Sequence, residues 1–522
     1  MKGYQKALTL ASTALMMTSL QGCAGMPHSR GSDVAQVEAG NLPLVREIDE
    51  RFQSFQVGFS HLTGGETWKS YDELPAGAAE KDGFAAIREK RLPTDLANPR
   101  LRTLTKALAP LYVRYGGTTA NSVYFHDSDA PPPAKPPKGF TVLLTRDAWK
   151  GAIDFAKAVD AKILTSFTNS DGVRDASHAW TPKMAAPWLA YTRSVGGEIY
   201  AAELFNEPNA PEPPRIPKGH SPEEFARDFA TFRAFMAKAA PDVKIVGPGT
   251  AKLGVSGVAS LESVTSEMYA SATPKPKFDI ISYHFYPALA ERCAPATSPF
   301  GIGSDKALTE EWLARPSKEL QQQKALRDRF APGAPIWLTE TGGAACGGLR
   351  WQPTFLDTFR YVDTMSRTAK EGLDAMFTHA LVSGSNGFID EKTFEPNASY
   401  WAGLLWRRLM GTRVLDAGPE QPGLHLYAHC QRGTPGGVTI LALNLGESSK
   451  TLQVGSPADV YALTSPELQS NTVLLNGKAL ALTANDELPA IAPARLEGRQ
   501  ATLAPTSVNF ITLPKAGNPN CR

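Results

Sequence analysis

Two short runs carry the residues best suited to chemistry. "AELFNEPNAP" (202–211) sets Asn206, Glu207 and Pro208 directly behind an apolar run, and "IWLTETGG" (336–343) sets Glu340 behind another. Pro208 has no N–H and ends a regular strand ladder, which puts Asn206 and Glu207 at a strand's C-terminal rim. One rim carboxylate is ordinarily a solvated or ion-paired side chain. Two of them facing one cleft can work as a pair. One protonates the leaving oxygen of a glycosidic bond while the other attacks the anomeric carbon or activates water. A carboxyl separation of about 5–5.5 Å goes with retention through a covalent intermediate. Tyr286, in "SYHFYP", is placed to donate a hydrogen bond to Glu340 and keep it ionised. A ring packed on the rim is the plain alternative. Asn206 is suited to hold a sugar 2-hydroxyl.

These positions need a frame that brings distant strand ends together. From about residue 54 to 390, strand-like runs alternate with helical stretches. The runs are "FQVGFSHL" (55–62), "LYVRYGG" (111–117), "KILTSFT" (162–168), "EIYAAELF" (198–205), "VKIVGPG" (243–249), "DIISYHFY" (279–286), "PIWLTE" (335–340) and "AMFTHALV" (375–382). Between them, segments such as "RDAWKGAIDFAKAVD" and "SPEEFARDFATFRAFMAKAA" repeat apolar residues at three-to-four spacing, the helical period. Eight such units predict a (β/α)8 TIM barrel, an α/β fold whose site forms at the C-terminal ends of its strands. Glu207 then ends strand four, Tyr286 strand six and Glu340 strand seven. The Pro-rich "DAPPPAKPPKG" (129–139) is expected as a stiff rim loop after strand two. Beyond about residue 412, short strands separated by Gly, Pro, Asn and Ser predict a C-terminal antiparallel β-sandwich.

With 522 residues, two domains are the natural expectation. Hydrophobic residues make up 42% and charged residues 20%, which describes a globular chain with a large core. A formal net charge of +2, with Lys and Arg scattered, argues against nucleic acid as a partner. The N-terminus has the make-up of an export signal: "MKGYQK", then the apolar "ALTLASTALMMTSL", then "LQGC" ending at Cys23. That ending is similar to a bacterial lipobox. Two outcomes stand open: lipidation of Cys23 with anchoring to the membrane of the cell envelope, or simple cleavage and secretion. The expected division is signal peptide 1–23, linker 24–40, barrel 41–411 and sandwich 412–522, with residues about 41–52 able to pair into the sandwich. Without Cys23, the cysteines are Cys293, Cys346, Cys430 and Cys521, which allow three pairings in an oxidising compartment. No CxxC or His/Cys cluster points to a metal, and no cofactor is expected. A monomer is the expected state.

The ordered set of stretches resembles glycoside hydrolase family 79, the heparanase and β-glucuronidase family of the retaining (β/α)8 clan. "DERFQSF", "VRYGGTTANSVYF", "AAELFNEPNAP", "SYHFYP", "IWLTETGGAACGG", "SYWAGLLWRRLMGTRVL" and "LLNGKALAL" carry the resemblance, from about residue 44 to the C-terminus. It implies Glu207 as acid/base, Glu340 as nucleophile and Tyr286 as the nucleophile's partner. It also implies a glucuronide or a glucuronate-containing oligo- or polysaccharide as substrate. Gly347 and Gly348 would offer backbone N–H groups to the sugar carboxylate, and Thr118 joins the substrate-binding set. Cys430 and Cys521 match a pair in the family's sandwich domain; Cys293 and Cys346 form a second candidate pair beyond strands six and seven. Two positions depart from the pattern. Gly58 stands where family members usually carry a strand-one carboxylate, and Asn386 where they carry a tyrosine near the end of strand eight. His61, taken as lying further along strand one, is a candidate substitute for the missing carboxylate or a packed rim residue. The departures leave a different sugar preference open, and a non-catalytic carbohydrate-binding surface lipoprotein is the rival from another class.

Overall fold

The computed structural model describes residues 34–74, 83–210, 216–218, 220–253, 265–294 and 298–522. The expected signal peptide, Cys23 and the first part of the expected linker lie outside these residues. Eight parallel strands close into a barrel: β1 (Gln53–Gly58), β2 (Leu111–Gly116), β3 (Ala161–Ser166), β4 (Ile199–Glu203), β5 (Lys244–Leu253), β6 (Ile280–Tyr286), β7 (Ile336–Thr341) and β8 (Ala375–His379). Each pairs with its sequence neighbour, and β8 closes on β1 with Met376 opposite Gln53. Every residue of β1, β2, β6 and β7 is buried. Strands covered on both faces read as continuous apolar runs, which is why the sequence located all eight.

Helices follow the strands and cover the barrel. Arg146–Ala158 starts at Thr145, whose side chain accepts from the Ala148 N–H, and it buries Trp149, Ala152, Ile153, Phe155 and Ala156 on one stripe. Pro222–Ala239 starts at Ser221, which caps Glu224, with a proline in the first turn. Inside the barrel the two-residue period of a strand stacks layers of different chemistry. Tyr112, Leu164, Ala201, Ile280, Trp337 and Phe377 pack together at the N-terminal end. Tyr112 and Trp337 have ring centroids 4.8 Å apart. Two residues further along three of these strands stand Arg114, Ser166 and Glu203, all buried and polar. The apolar layer seals the bottom and the polar layer opens upward.

One sequence expectation fails at strand one. The strand stops at Gly58, and Phe59–Thr63 forms a short helix in which the Thr63 hydroxyl donates to the Phe59 carbonyl at 3.0 Å. His61 therefore lies on that helix, because the apolar alternation Phe55, Val57, Phe59 runs past the point where the backbone turns. The segment expected as a linker also holds structure. Val34–Gln36 pairs in parallel with Lys450–Gln453.

The C-terminal region is antiparallel. Met410–Leu415, Leu424–Gln431, Val438–Asn444, Ser507–Leu513 and Ala458–Thr464 are successive neighbours in a nine-stranded sheet. Leu44–Glu47 joins this sheet beside Met410–Leu415. A second sheet of three strands shares an apolar core with it, through Leu452 and Leu503 on one side and Ile440 and Ile511 on the other. Disulfides join Cys293 to Cys346 and Cys430 to Cys521. Among the described residues, no helix is long and apolar enough to cross a membrane.

Candidate active site

Glu207 and Glu340 meet at the C-terminal mouth of the barrel. Glu207 lies four residues past the end of β4, at φ +48, a left-handed conformation that a non-glycine residue adopts only when its surroundings impose it. Its Oε1 is 2.9 Å from His284 Nδ1 on β6. Glu340, on β7, accepts from the Tyr286 hydroxyl at Oε1 (2.6 Å) and from Arg114 at Oε2 (2.8 Å). One oxygen of each glutamate and one nitrogen of His284 all lie within 4.8 Å of one another. Such a trio has the donor types of a metal site, but each of these atoms already faces a partner among Arg114, Tyr286 and the trio itself.

The two carboxyls differ in their partners. Burial opposes the charge on Glu340, yet His284, His379, the Arg114 guanidinium and the Tyr286 hydroxyl together hold its carboxyl well below the usual range. Burial and the Glu340 charge push the Tyr286 phenol well above its ordinary value, so it stays a donor. Glu207 faces an imidazole and keeps 16% of its side chain exposed. Glu340 thus has a donor on each oxygen, and Glu207 stands against one imidazole.

Arg114 organises the floor. Fully buried on β2, it donates to Glu203 (2.5 and 3.0 Å), Gln56 (2.7 Å), Glu340 (2.8 Å) and Asn206 Oδ1 (2.8 Å). Burial disfavours its charge, and Glu203 and Glu340 more than restore it. A charge this deep is tolerable only with such a set of acceptors. Asn121 holds the Asn206 backbone from both sides, accepting its N–H at 2.7 Å and donating to its carbonyl at 2.9 Å.

Above this floor lies a cavity of about 360 Å³. Glu207, Tyr286, Glu340, Thr118, Gly347 and Asn386 all line it, as do Gly58 and His61. Asn206 and Gly348 are buried and are not among its lining residues. Gly347 and Gly348 have φ of +79 and +82, and a side chain on Gly348 would strike Asn386 Cβ at 2.6 Å. Their backbone therefore needs glycine. Gly58 does not, since an added Cβ would sit 3.7 Å from His61 at ordinary contact. Asn386 accepts from Ser383 (2.6 Å) and donates weakly to the His379 carbonyl (3.4 Å), so its amide is turned into its own loop. His61 faces Thr94 at 2.9 Å. Burial, Arg91 and His379 hold its pKa well down, which makes it a neutral packed residue.

Sequence reasoning passed over Arg114, Glu203, His284 and His379. A signal existed: each is a polar residue inside an otherwise apolar strand run, a placement that demands buried partners. Trp68 and Arg88 had no such signal. They come from a hairpin, Gly65–Trp68 with Arg88–Arg91, that reaches the cavity from the loop beyond β1.

No family model matches the chain. It is 27% identical to heparanase-like protein 1 of Arabidopsis thaliana over 506 residues, spanning 85% of this chain and 88% of that protein. Mouse heparanase is 27% identical over 493 residues, covering 82% and 88%. Baicalin-β-D-glucuronidase of Scutellaria baicalensis is 26% identical over 478 residues, covering 81% and 84%. Among solved structures, a 4-O-α-L-rhamnosyl-β-D-glucuronidase of Fusarium oxysporum superposes at TM-score 0.59 with 13% identity, over 92% of this chain and all of that one. A family 51 α-L-arabinofuranosidase of Thermotoga petrophila does so at 0.60 with 15% identity, over 92% and 99%. At such identities the structural likeness speaks for the fold: a (β/α)8 barrel followed by antiparallel sheets.

Proposed function

We propose that this chain is an exported retaining β-glycosidase of the heparanase and β-glucuronidase family that hydrolyses β-glucuronides. The observation that carries the reading is the Glu207–Glu340 pair, with oxygens within 4.8 Å across the mouth of the barrel. A pair this close supports retention through a covalent intermediate over inversion, whose carboxyls stand about 6.5–9.5 Å apart. In the first step Glu340 attacks the anomeric carbon while Glu207 passes its proton to the leaving oxygen. In the second, Glu207 takes a proton from water, which displaces Glu340 and restores both groups. Tyr286 and Arg114 hold Glu340 ionised and aimed, and Asn206, held by Arg114 and Asn121, is read as the residue for the sugar's 2-hydroxyl. Two carboxylates and water complete the cycle.

The names of the relatives favour glucuronate over other sugars. Against it stand Gly58, which supplies no acceptor, and the engaged amide of Asn386; these two favour a second reading, a retaining β-glycosidase for a different sugar. We take residues 41–411 as the catalytic unit and 412–522 as a β-sandwich. Residues 1–23 are read as an export signal with Cys23 as lipid anchor, on a monomeric protein. Hydrolysis of 4-nitrophenyl β-D-glucuronide beside the β-glucoside, β-galactoside and β-xyloside tests the proposal, with the configuration of the first-formed sugar read by NMR. Glucuronide cleavage with retention is expected. Inversion overturns the mechanism, cleavage of a neutral glycoside alone overturns the sugar, and silence on all four favours the non-catalytic rival.

A further inference from the structure

An acidic sugar brings a carboxylate into a cavity that already holds Glu207 and Glu340. Something must offset that charge, because a carboxylate leaving water needs charge-assisted donors. Asn386 does not provide them, since its amide faces Ser383 and the His379 carbonyl. His61 and His379 line the cavity too, but burial, the largest cause on each, lowers the pKa of both imidazoles, and His379 is already set against Glu340. Among the described residues lining the cavity, Arg88 is the one lysine or arginine.

Its placement matches the need. Arg88 and Trp68 sit opposite each other in the antiparallel hairpin, and the guanidinium lies 4.4 Å from the centre of the Trp68 ring. The same indole packs on Gly347: a Cβ there would fall 2.5 Å from Trp68 Cγ. Trp68 thus bridges the guanidinium and the backbone that follows Glu340. A second guanidinium, Arg292, stands 5.9 Å from the Trp68 ring, fixed by the Lys69 carbonyl at 2.5 Å and the Ser385 hydroxyl at 3.2 Å. It adds positive potential behind the wall. Glu66, which also lines the cavity, stands 4.0 Å from Arg88 with its own side chain 60% exposed.

Resting on the glycosidase reading above, we propose that Arg88, steered by Trp68, reads the carboxylate of the acidic sugar in the cleavage subsite. The guanidinium supplies paired N–H donors, Gly347 adds backbone N–H, and the site takes an acidic sugar by a route that does not need a strand-eight tyrosine.

The test compares 4-nitrophenyl β-D-glucuronide with the β-D-glucoside in wild type, Arg88→Gln and Arg88→Lys. Arg88→Gln is expected to lower kcat/KM for the glucuronide by about 30- to 100-fold, mostly through KM, and to leave any glucoside rate within about twofold. Arg88→Lys should recover part of the loss by keeping the charge without the fork. Equal losses on both substrates would overturn the assignment in favour of a structural hairpin. An unchanged glucuronide rate in Arg88→Gln would overturn it while leaving the glucuronidase reading in place. A wild type that cleaves the glucoside and not the glucuronide would remove both, and one that cleaves neither would remove the assignment together with the glucuronidase reading.

Discussion

His284 Nδ1 lies 2.9 Å from Glu207 Oε1 and 3.9 Å from Glu340 Oε2, so one imidazole addresses both carboxyls and favours Glu207. This makes His284 a positioning residue for the proposed acid. His284→Ala should slow glycosides with poor leaving groups by about 10- to 100-fold, and activated aryl glycosides much less, since only the former need full protonation. A leaving-group series gives the answer. An equal loss across the series would assign His284 to Glu340 instead.

Direct removal of the carboxylates separates their roles. Glu340→Gln should abolish turnover of every substrate. Glu207→Ala should lose about 100- to 10,000-fold with poor leaving groups and recover in part with azide, which attacks the glycosyl-enzyme without base assistance. Near-normal activity in Glu340→Gln would disprove its assignment as nucleophile.

The acid limb of the pH profile follows from the bonds on Glu340. Its carboxyl is held well below the usual range, so wild-type kcat/KM should not fall with Glu340 protonation until pH drops below the ordinary Glu value of about 4.3. Tyr286→Phe deletes the 2.6 Å donor to Oε1. Losing a hydrogen bond to the charged form raises that pKa, and the acid limb should move to higher pH. A profile that loses amplitude without shifting would mean that Tyr286 acts on the sugar rather than on Glu340.

How far the sequence revealed this site depended on burial and local period. Strands covered on both faces announce themselves as apolar runs, so Glu207, Tyr286 and Glu340 could be placed on numbered strand ends. Arg114 was hidden by the same rule: in "LYVRYGG" it looks like one polar residue in a strand, and only the closed barrel brings Glu203, Gln56, Asn206 and Glu340 around it. The 65–91 hairpin was illegible for a different reason. Its strands are short, polar and separated by residues 69–87, so no period marks their pairing. His61 was misplaced because apolar alternation continues through Gly58, where the chain turns into a helix.

Stability should also depend on pH, through a contact far from the mouth of the barrel. His425, on the strand Leu424–Gln431, lies 2.6 Å from Asp363 on the helix Phe355–Glu371 and 2.9 Å from Glu310. Burial alone would lower its pKa, but the two carboxylates push it up to about 9. A raised folded-state value means that the contribution is complete below the ordinary value of about 6.5, declines as pH rises and is gone above about 9. The shift corresponds to about 3 kcal/mol. Thermal melts at pH 6 and pH 9.5 should show this loss in wild type, and His425→Gln should flatten it. A variant that keeps the wild-type slope would assign the pH dependence elsewhere.

The two disulfides should separate stability from activity. Cys430–Cys521 closes a span of 91 residues within the antiparallel region, and its loss should cost about 4 kcal/mol with little effect on kcat. Cys293–Cys346 spans 53 residues, and Cys346 lines the cavity next to Gly347. A Cys293→Ser, Cys346→Ser double variant should raise KM as well as lower Tm. Equal KM values in both double variants would show that the second bridge is only a brace.

Asn386 offers the last test of how the acidic sugar is held. Its Oδ1 takes the Ser383 hydroxyl at 2.6 Å and its Cβ backs onto Gly348, so the side chain supports the loop after β8 and presents little to the cavity it lines. Asn386→Tyr would break the Ser383 bond, at a cost of about 1 kcal/mol. In exchange, the longer side chain can carry a hydroxyl past the loop toward the Gly347 backbone and the Arg88 guanidinium. A donor there strengthens the hold on a carboxylate and does nothing for a neutral sugar. Glucuronide kcat/KM should therefore rise several-fold, with the glucoside rate unchanged and Tm slightly lowered. A fall in the glucuronide rate alone would make Asn386 itself part of carboxylate recognition, with its amide turning from Ser383 to the sugar on binding.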